Sequence, residues 1–360
     1  MRSIGVLSGW SRRRWLVVGL TLALVVVAAV VVWRVVGGED RTRFAEAVAL
    51  APASTARFSW TDWAGVRDEL DADLSASSST QDIEDFLLEA FDRDLAPVSA
   101  LEESAPAIHA DLGFSPATID WELFAQGEDG AVVIIGLPED FDVERVRNRL
   151  RGVGFEEPDD ADGVWRGGAD LLQGLSGPVT PELAAIQIDE DAGLLLGSDD
   201  PDFLAARAGD ARGDREDGIS DVVDAAGEAL SASAYTGDYT CAELSMTTSP
   251  DPADQTRAAE LIEEAGGIHP VAGYAIAARP DGDIRVTLAF ENEDQARADA
   301  DSRSQLAAGP ALGQGGAFAD SFTVARASAR GRVVTLDLAP EPDAFVLSNF
   351  NHGPVLFATC

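Results

Sequence analysis

The side chains that could do chemistry in this chain are few, and they stand in patterns that match no catalytic signature. Ser176 lies in Gly174-Leu175-Ser176-Gly177, which lacks the G-x-S-x-G form of a nucleophile elbow and runs into Pro178, so it reads as a loop serine. Lysine is absent: all 26 basic residues are arginine. That removes Ser-x-x-Lys pairs and lysine Schiff bases, which need the amine. The three histidines, His109, His269 and His352, are far apart, and none has the H-E-x-x-H spacing that puts two imidazoles on one helix face. They read as surface or hydrogen-bonded residues. Gly313-Gln314-Gly315 begins a dinucleotide fingerprint. Phe318 holds the position of its closing small residue, no strand leads into it, and no basic residue serves a phosphate, so it reads as a loop.

Carboxylates are the abundant reactive type. Asp159, Asp160 and Asp162, then Asp189, Glu190 and Asp191, then Asp199, Asp200 and Asp202, are hard oxygen ligands of the kind calcium takes. None has the D-x-D-x-D-G-x5-E loop, so solvated turns are expected. A pair for glycoside hydrolysis cannot be chosen among 63 acids, because the required separation is spatial. Trp60 and Trp63 flank Asp62, a grouping that would suit sugar stacking if exposed. At a spacing of three along a strand the rings point to opposite sides, so core packing is expected. Arg212-Gly213-Asp214 reads as a chance tripeptide in an acidic loop. No catalytic, cofactor-binding or metal-binding residue is assigned.

Cys241 and Cys360 are the only cysteines. In an outward-facing domain they are expected to form one disulfide, with two free thiols or an intermolecular bond as alternatives. The loop closed would span about 120 residues, a constraint of up to roughly 4–5 kcal/mol on the loop-entropy account. Each cysteine lies in a strand-like segment, Tyr239–Leu244 and Val355–Cys360, so these segments are expected to be neighbours. No activating base marks either sulfur as catalytic.

That the domain faces outward follows from the first residues. Trp15 to Trp33 runs nineteen residues without a charge. As a helix it spans roughly 28 Å, close to a bilayer's hydrocarbon thickness, with Trp at each interface. A cleaved signal peptide has a shorter apolar core, and Val-Val-Val-Trp-Arg is a poor cleavage context, so an uncleaved signal anchor is expected. Arg2, Arg12, Arg13 and Arg14 precede the run and only Arg34 closely follows it, which places the N-terminus in the cytoplasm and the rest outside. All 63 acidic residues follow the anchor, against 21 arginines. Such a surface repels nucleic acid and anionic lipid and favours solubility. The expected partners are the membrane, through Trp15–Trp33, and an unspecified envelope protein, glycan or lipid.

The expected organisation is a cytoplasmic basic tail (1–14), a transmembrane signal anchor (15–36), and two α+β lobes (37–210 and 219–360) divided near Gly209–Gly218. Arg41–Leu50 reads helical, Ser54–Trp63 as a strand, and Gln81–Leu95 as an amphipathic helix with Ile83, Phe86, Leu87, Ala90 and Phe91 on one face. From residue 119 a pattern recurs: two strands, a tight turn, then an acidic loop and a helix. The strand pairs begin at Ile119, Glu182, Tyr274 and Ser321, and the last turn, Ala329-Arg330-Gly331, is basic. Acidic residues ahead of each helix suit its N-terminal dipole. The fold class expected is therefore α+β: an N-terminal transmembrane helix, then repeated β-hairpin–helix (ββα) units forming antiparallel sheets with helices packed on one side.

The opening after the anchor, Leu50-Ala51-Pro52-Ala53-Ser54-Thr55 leading into a strand, is similar to the Pro-Ala-Thr-like start of a broad bacterial family of unknown function. With the lysine-free composition, the layout resembles uncharacterised actinobacterial envelope proteins with a basic tail, one anchor and an acidic ectodomain. The resemblance supplies no active site. The expected role is a membrane-tethered, extracytoplasmic binding module rather than an enzyme. A carboxylate-based glycan hydrolase and a carrier of an apolar ligand between sheet and helices are the alternatives.

Overall fold

Unbroken apolar runs shape this architecture more than alternating ones do. In the computed structural model, which describes residues 41–207 and 217–360, the run Gly130–Gly136 is a strand. Val132 and Ile134 enter one core and Val133 and Ile135 another, all fully buried. Successive strand residues point to opposite sides, so a strand without a polar alternate needs a cover on each side.

The strands are β1 (Thr55–Thr61), β2 (Trp121–Gly127), β3 (Gly130–Gly136), β4 (Val164–Arg166), β5 (Ala185–Asp189), β6 (Leu194–Ser198), β7 (Ser231–Thr236), β8 (Gly273–Ala278), β9 (Ile284–Ala289), β10 (Phe322–Arg330) and β11 (Val333–Pro340). They form one eleven-stranded sheet in the order β10-β11-β9-β8-β7-β1-β2-β3-β6-β5-β4, every pair antiparallel. Outward from β1 the order is β2, β3, β6, β5. Outward from β7 it is β8, β9, β11, β10. The same topology is thus laid down twice, back to back, with the β1–β7 pair at the centre and β4 added at one end. Segments from either side of residues 208–216 meet there, so the sheet continues across the boundary between the two expected lobes.

Helices lie on both faces. Helix α1 (Arg43–Leu50) leads into β1 and α7 (Asp217–Ala226) leads into β7. Their Phe44, Val48, Ile219, Val222 and Val223 pack on Phe58, Trp60, Leu123 and the alanines of β7 and β8, together with Leu204 of α6 (Pro201–Arg207). The opposite face carries α2 (Trp63–Glu69), α3 (Thr80–Asp92), α4 (Ala105–Asp111) and α5 (Val143–Val153) over the first half. Over the second half it carries α8 (Pro252–Glu264), α9 (Glu293–Ala307) and α10 (Val346–Phe350). Local chemistry starts several helices. The Ser79 hydroxyl accepts the Asp82 N–H while Asp82 accepts that of Ser79, and Asp142, Asp251 and Asn292 cap α5, α8 and α9.

Several expectations are corrected. There is one sheet rather than several, with helices on both sides, because consecutive apolar residues bury both faces. The transmembrane segment Trp15–Trp33 lies outside the described residues; among the described residues no helix is long and apolar enough to cross a membrane. The strand read over Ser54–Trp63 ends at Thr61, where Asp62 accepts the Gly65 N–H at 3.0 Å and starts α2. The segments around the two cysteines are helical turns, Thr240–Leu244 and Leu356–Ala358, rather than strands.

Candidate functional site at the sheet seam

Strands β1 and β7 each alternate between apolar and polar side chains. Phe58 and Trp60, with Ala232 and Ala234, enter the core beneath α1 and α7. The alternate residues are Arg57, Ser59 and Thr61 on β1 and Ser231, Ser233 and Tyr235 on β7. Register sets Thr61 opposite Ser231, Ser59 opposite Ser233, and Arg57 opposite Tyr235. The first rung extends to Glu122 on β2 and the third to Tyr274 on β8. Directly opposed residues of antiparallel strands share a face. A polar strip therefore runs along the seam between the apolar cores of the two halves.

Polar alternation normally marks a sheet side turned to water. Here the strip is enclosed: Ser59, Thr61, Ser231, Ser233, Tyr235 and Tyr274 are all buried. Two segments hold its ends. Ala100 donates its N–H to Glu122 Oε1 at 2.8 Å, and Trp63 Nε1–H donates to Oε2 at 3.0 Å. The Tyr235 hydroxyl donates to the Asn351 carbonyl. Asp94 joins the two segments by accepting the N–H groups of Leu347 and Ser348. Beneath them, the hydroxyls of Thr61, Ser231 and Tyr274 and Nε of Arg57 have no hydrogen-bond partner among the described residues. An unmatched buried polar group costs about 1–3 kcal/mol, so such a concentration asks for a functional account.

The strip opens at Arg57. Two adjoining grooves, of about 640 and 360 Å³, share Arg57, Tyr239 and Ala242 in their walls. The chain's three tyrosines all gather here. Tyr235 stacks on Tyr239 at 5.2 Å with planes 9° apart, and on Tyr274 at 6.1 Å. Burial raises the pKa of Tyr235, against the opposing effects of Ser233 and Arg57, and burial raises that of Tyr274. Both phenols are therefore neutral near pH 7 and are poor nucleophiles. Arg57 makes no ion pair among the described residues, although the chain carries 63 acids.

The other end of β1 borders a groove of about 490 Å³ that includes Arg43, Trp60, Asp62, Asp68, Glu69 and Glu228. Burial raises the Asp62 pKa, opposed by the Gly65 N–H and by Arg43 at 3.7 Å. Glu122 is fully buried and its pKa is raised by burial, opposed by the donors around it. Burial, Glu122 and Glu103 together push Glu102 up to about 7. Neither Glu102 nor Glu122 lines the grooves at the two ends of β1.

The residues singled out in the sequence sit elsewhere. Trp60 and Trp63 enter opposite cores, and Trp60 Nε1–H donates to the Ala229 carbonyl, so neither is a sugar platform. His109 is buried between Ser115 and the Ser78 carbonyl, with its pKa lowered by burial. His269 meets Asp299, and His352 sits against Asn351 beside the 360 Å³ groove. Ser176 donates its N–H to Asp111. Asp189 and Asp200 cap their own turns, and Asp159 and Asp162 border a groove of about 420 Å³. Among the described residues no three His, Cys, Asp or Glu side chains are grouped to hold a metal ion. Gly313 and Gly315 border a groove with Asp251, Asp254 and Asp320, which is unsuited to phosphate. Arg212–Asp214 lies outside the described residues. Cys241 and Cys360 are joined in a disulfide, with Cα atoms 5.3 Å apart. Sequence reading missed Arg57, Tyr235 and Tyr239; the available signal was the polar alternation of β1 and β7.

No protein-family model matches this chain, and no curated protein matches it. Among solved structures, one titled "Structure of crystal form I of TP0453" is similar with a TM-score of 0.40 and 7% identity, over 84% of this chain and 95% of that one. A likeness at that level carries no functional argument.

Proposed function

We propose that this chain is a non-enzymatic ligand-binding module, held on the outer side of a bacterial cell membrane by Trp15–Trp33, and that its ligand enters the Arg57 groove. The observation that carries the reading is a guanidinium without a carboxylate partner among the described residues, set among stacked tyrosines at the mouth of a buried polar strip. Concave sites with a few convergent polar groups are where small molecules bind. The tether rests on the uncharged run and its arginine flank.

Two measurements test it. Protease added to intact cells is expected to digest the acidic domain and spare the basic tail; protection of the domain would overturn the topology. Thermal unfolding of the full-length protein in detergent, titrated with fractionated envelope extract, is expected to reveal a fraction that stabilises the wild type and not Arg57→Gln. Absence of any Arg57-dependent ligand, or a hydrolase activity abolished by one substitution, would overturn the binding role.

One observation favours a second reading, a carboxylate-based glycan hydrolase: Glu102 titrates near neutrality beside Glu122. That enzyme would need a substrate to reach Glu122, whose oxygens are occupied by Trp63 and Ala100. Loss of glycan cleavage in Glu102→Gln would establish it.

A further inference from the structure

We infer that the Arg57 groove takes a zwitterion, whose anionic group (carboxylate or phosphate) meets the Arg57 guanidinium while its ammonium group reaches an acidic rim. The inference rests on the binding reading above and names the class of ligand.

The charges are arranged in depth. Arg57 is half-buried and, among the described residues, is the only arginine in the walls of either groove. Around it Glu128, Asp129, Asp238 and Glu243 line the same two grooves and are all exposed. A plain anion has to pass four carboxylates to reach one guanidinium, and the field of the chain as a whole opposes it. A plain cation is drawn to the rim but meets Arg57 on the floor. A molecule with both charges satisfies floor and rim together.

The guanidinium fork matches the two oxygens of a carboxylate or phosphate, and a charge-assisted pair there is stronger than a neutral hydrogen bond. Tyr239, half-buried and stacked on Tyr235, offers a ring face to an ammonium group. The Tyr235 phenol is neutral and does not compete as an anion for Arg57. The groove walls come from five places: β1 with the residues before it, the β2–β3 turn, the start of α7, the end of β7 with the segment after it, and the segment after α10. Only the folded sheet brings them together.

The test is calorimetric titration of the full-length protein in a non-ionic maltoside detergent. The probes are β-alanine, with propionate and ethylamine as its halves of one sign, and O-phosphoethanolamine, with inorganic phosphate and ethanolamine as its halves. At least one zwitterion is expected to bind about tenfold more tightly than either of its halves. Arg57→Gln is expected to lose that binding. A double variant, Asp129→Asn with Asp238→Asn, alters exposed side chains only and is expected to bring the zwitterion down to the affinity of its anion. It keeps the test decisive if Arg57→Gln fails to fold. Phosphatidylethanolamine carried in mixed micelles of the same detergent that binds as tightly as free O-phosphoethanolamine would identify a lipid headgroup as the source; free compound alone would identify a soluble metabolite. A plain anion that binds as tightly as its zwitterion, with Arg57 still required, overturns the inference and leaves the binding module standing. No Arg57-dependent binding by any probe overturns the zwitterion, while envelope extract in the preceding experiment decides the module.

Discussion

Asp94 accepts the backbone N–H of Ser348 at 3.0 Å across 254 positions of sequence, and that of Leu347 at 2.6 Å. Those N–H groups belong to the first turn of α10, which has no side-chain cap of its own. A residue just after α3, which covers one half of the duplicated sheet, thus caps a helix that covers the other half, above the polar strip. Asp94 sits at φ +56, a left-handed conformation that Asp tolerates better than most residues. Asp94→Ala is expected to cost about 2–4 kcal/mol in denaturant unfolding, since it strips a cap and leaves buried donors unmatched. Asp94→Asn keeps one acceptor oxygen and should cost less. Equal stability of Asp94→Ala and wild type would show that the clasp contributes nothing.

The hairpins were the legible part of this fold. Tight turns with glycine at positive φ, such as Gly282 and Gly331, separate β8 from β9 and β10 from β11 where the turn residues suggested. Assembly was not legible. Val132–Ile135 reads as one apolar run, and nothing local says that alternate members serve different cores. The disulfide partners were readable because there are only two cysteines, but their helical turns were not, since Tyr239–Leu244 has a strand-like composition. The Arg57 site was hidden for a similar reason. Arg57, Tyr235 and Tyr239 are separated by about 180 residues and meet only through the β1–β7 register, and a polar alternate in a strand ordinarily means solvent.

Glu102 gives a pH prediction. Burial, Glu122 and Glu103 raise its pKa from 4.5 to about 7. The folded state therefore holds a proton that the unfolded state has released between those values, and stability falls as pH rises through that window. Below about 4.5 both states are protonated and the effect vanishes; above about 7 the penalty is complete, and because the carboxyl keeps partial contact with water it is about 1–2 kcal/mol. Glu102→Gln is expected to stabilise the protein at pH 8 and to leave it unchanged at pH 4. Parallel stability–pH curves for the two proteins would refute the assignment.

The C-terminus is held twice. The disulfide closes a loop with a sequence separation of 119, so its reduction is expected to cost up to about 4–5 kcal/mol. The tail is also gripped by Arg303, fully buried, which donates to the carbonyls of Phe357 at 2.8 Å and Thr359 at 2.6 Å while pairing with Asp299 at 3.0 Å. Reduced protein should therefore keep amide-exchange protection at Met246, whose N–H donates to the Thr359 hydroxyl. Arg303→Ala leaves Asp299 buried without its arginine and frees the tail. It should cost about 3–5 kcal/mol and lose that protection even with the disulfide intact. Full protection in oxidised Arg303→Ala would show that the covalent link alone positions the tail.

Two glycines set how closely α7 lies against the sheet. A Cβ added at Gly218 would stand 2.2 Å from the Ala272 carbonyl oxygen, and one at Gly273 would stand 2.5 Å from that of Gly218. Both obstructions are backbone, so neither can rotate away. The alanines at 232, 234, 275 and 277 continue the same close approach beneath the helix. Gly273→Ala should therefore push the start of α7 outward and cost about 1–3 kcal/mol, as overpacking does. Ile219, one residue beyond Gly218, lines the larger of the two Arg57 grooves. The same substitution should thus weaken the zwitterion binding proposed for that groove without touching Arg57 or the acidic rim. Calorimetry on Gly273→Ala reads both effects: a lowered unfolding temperature with unchanged affinity would mean that α7 supports the fold but does not shape the groove.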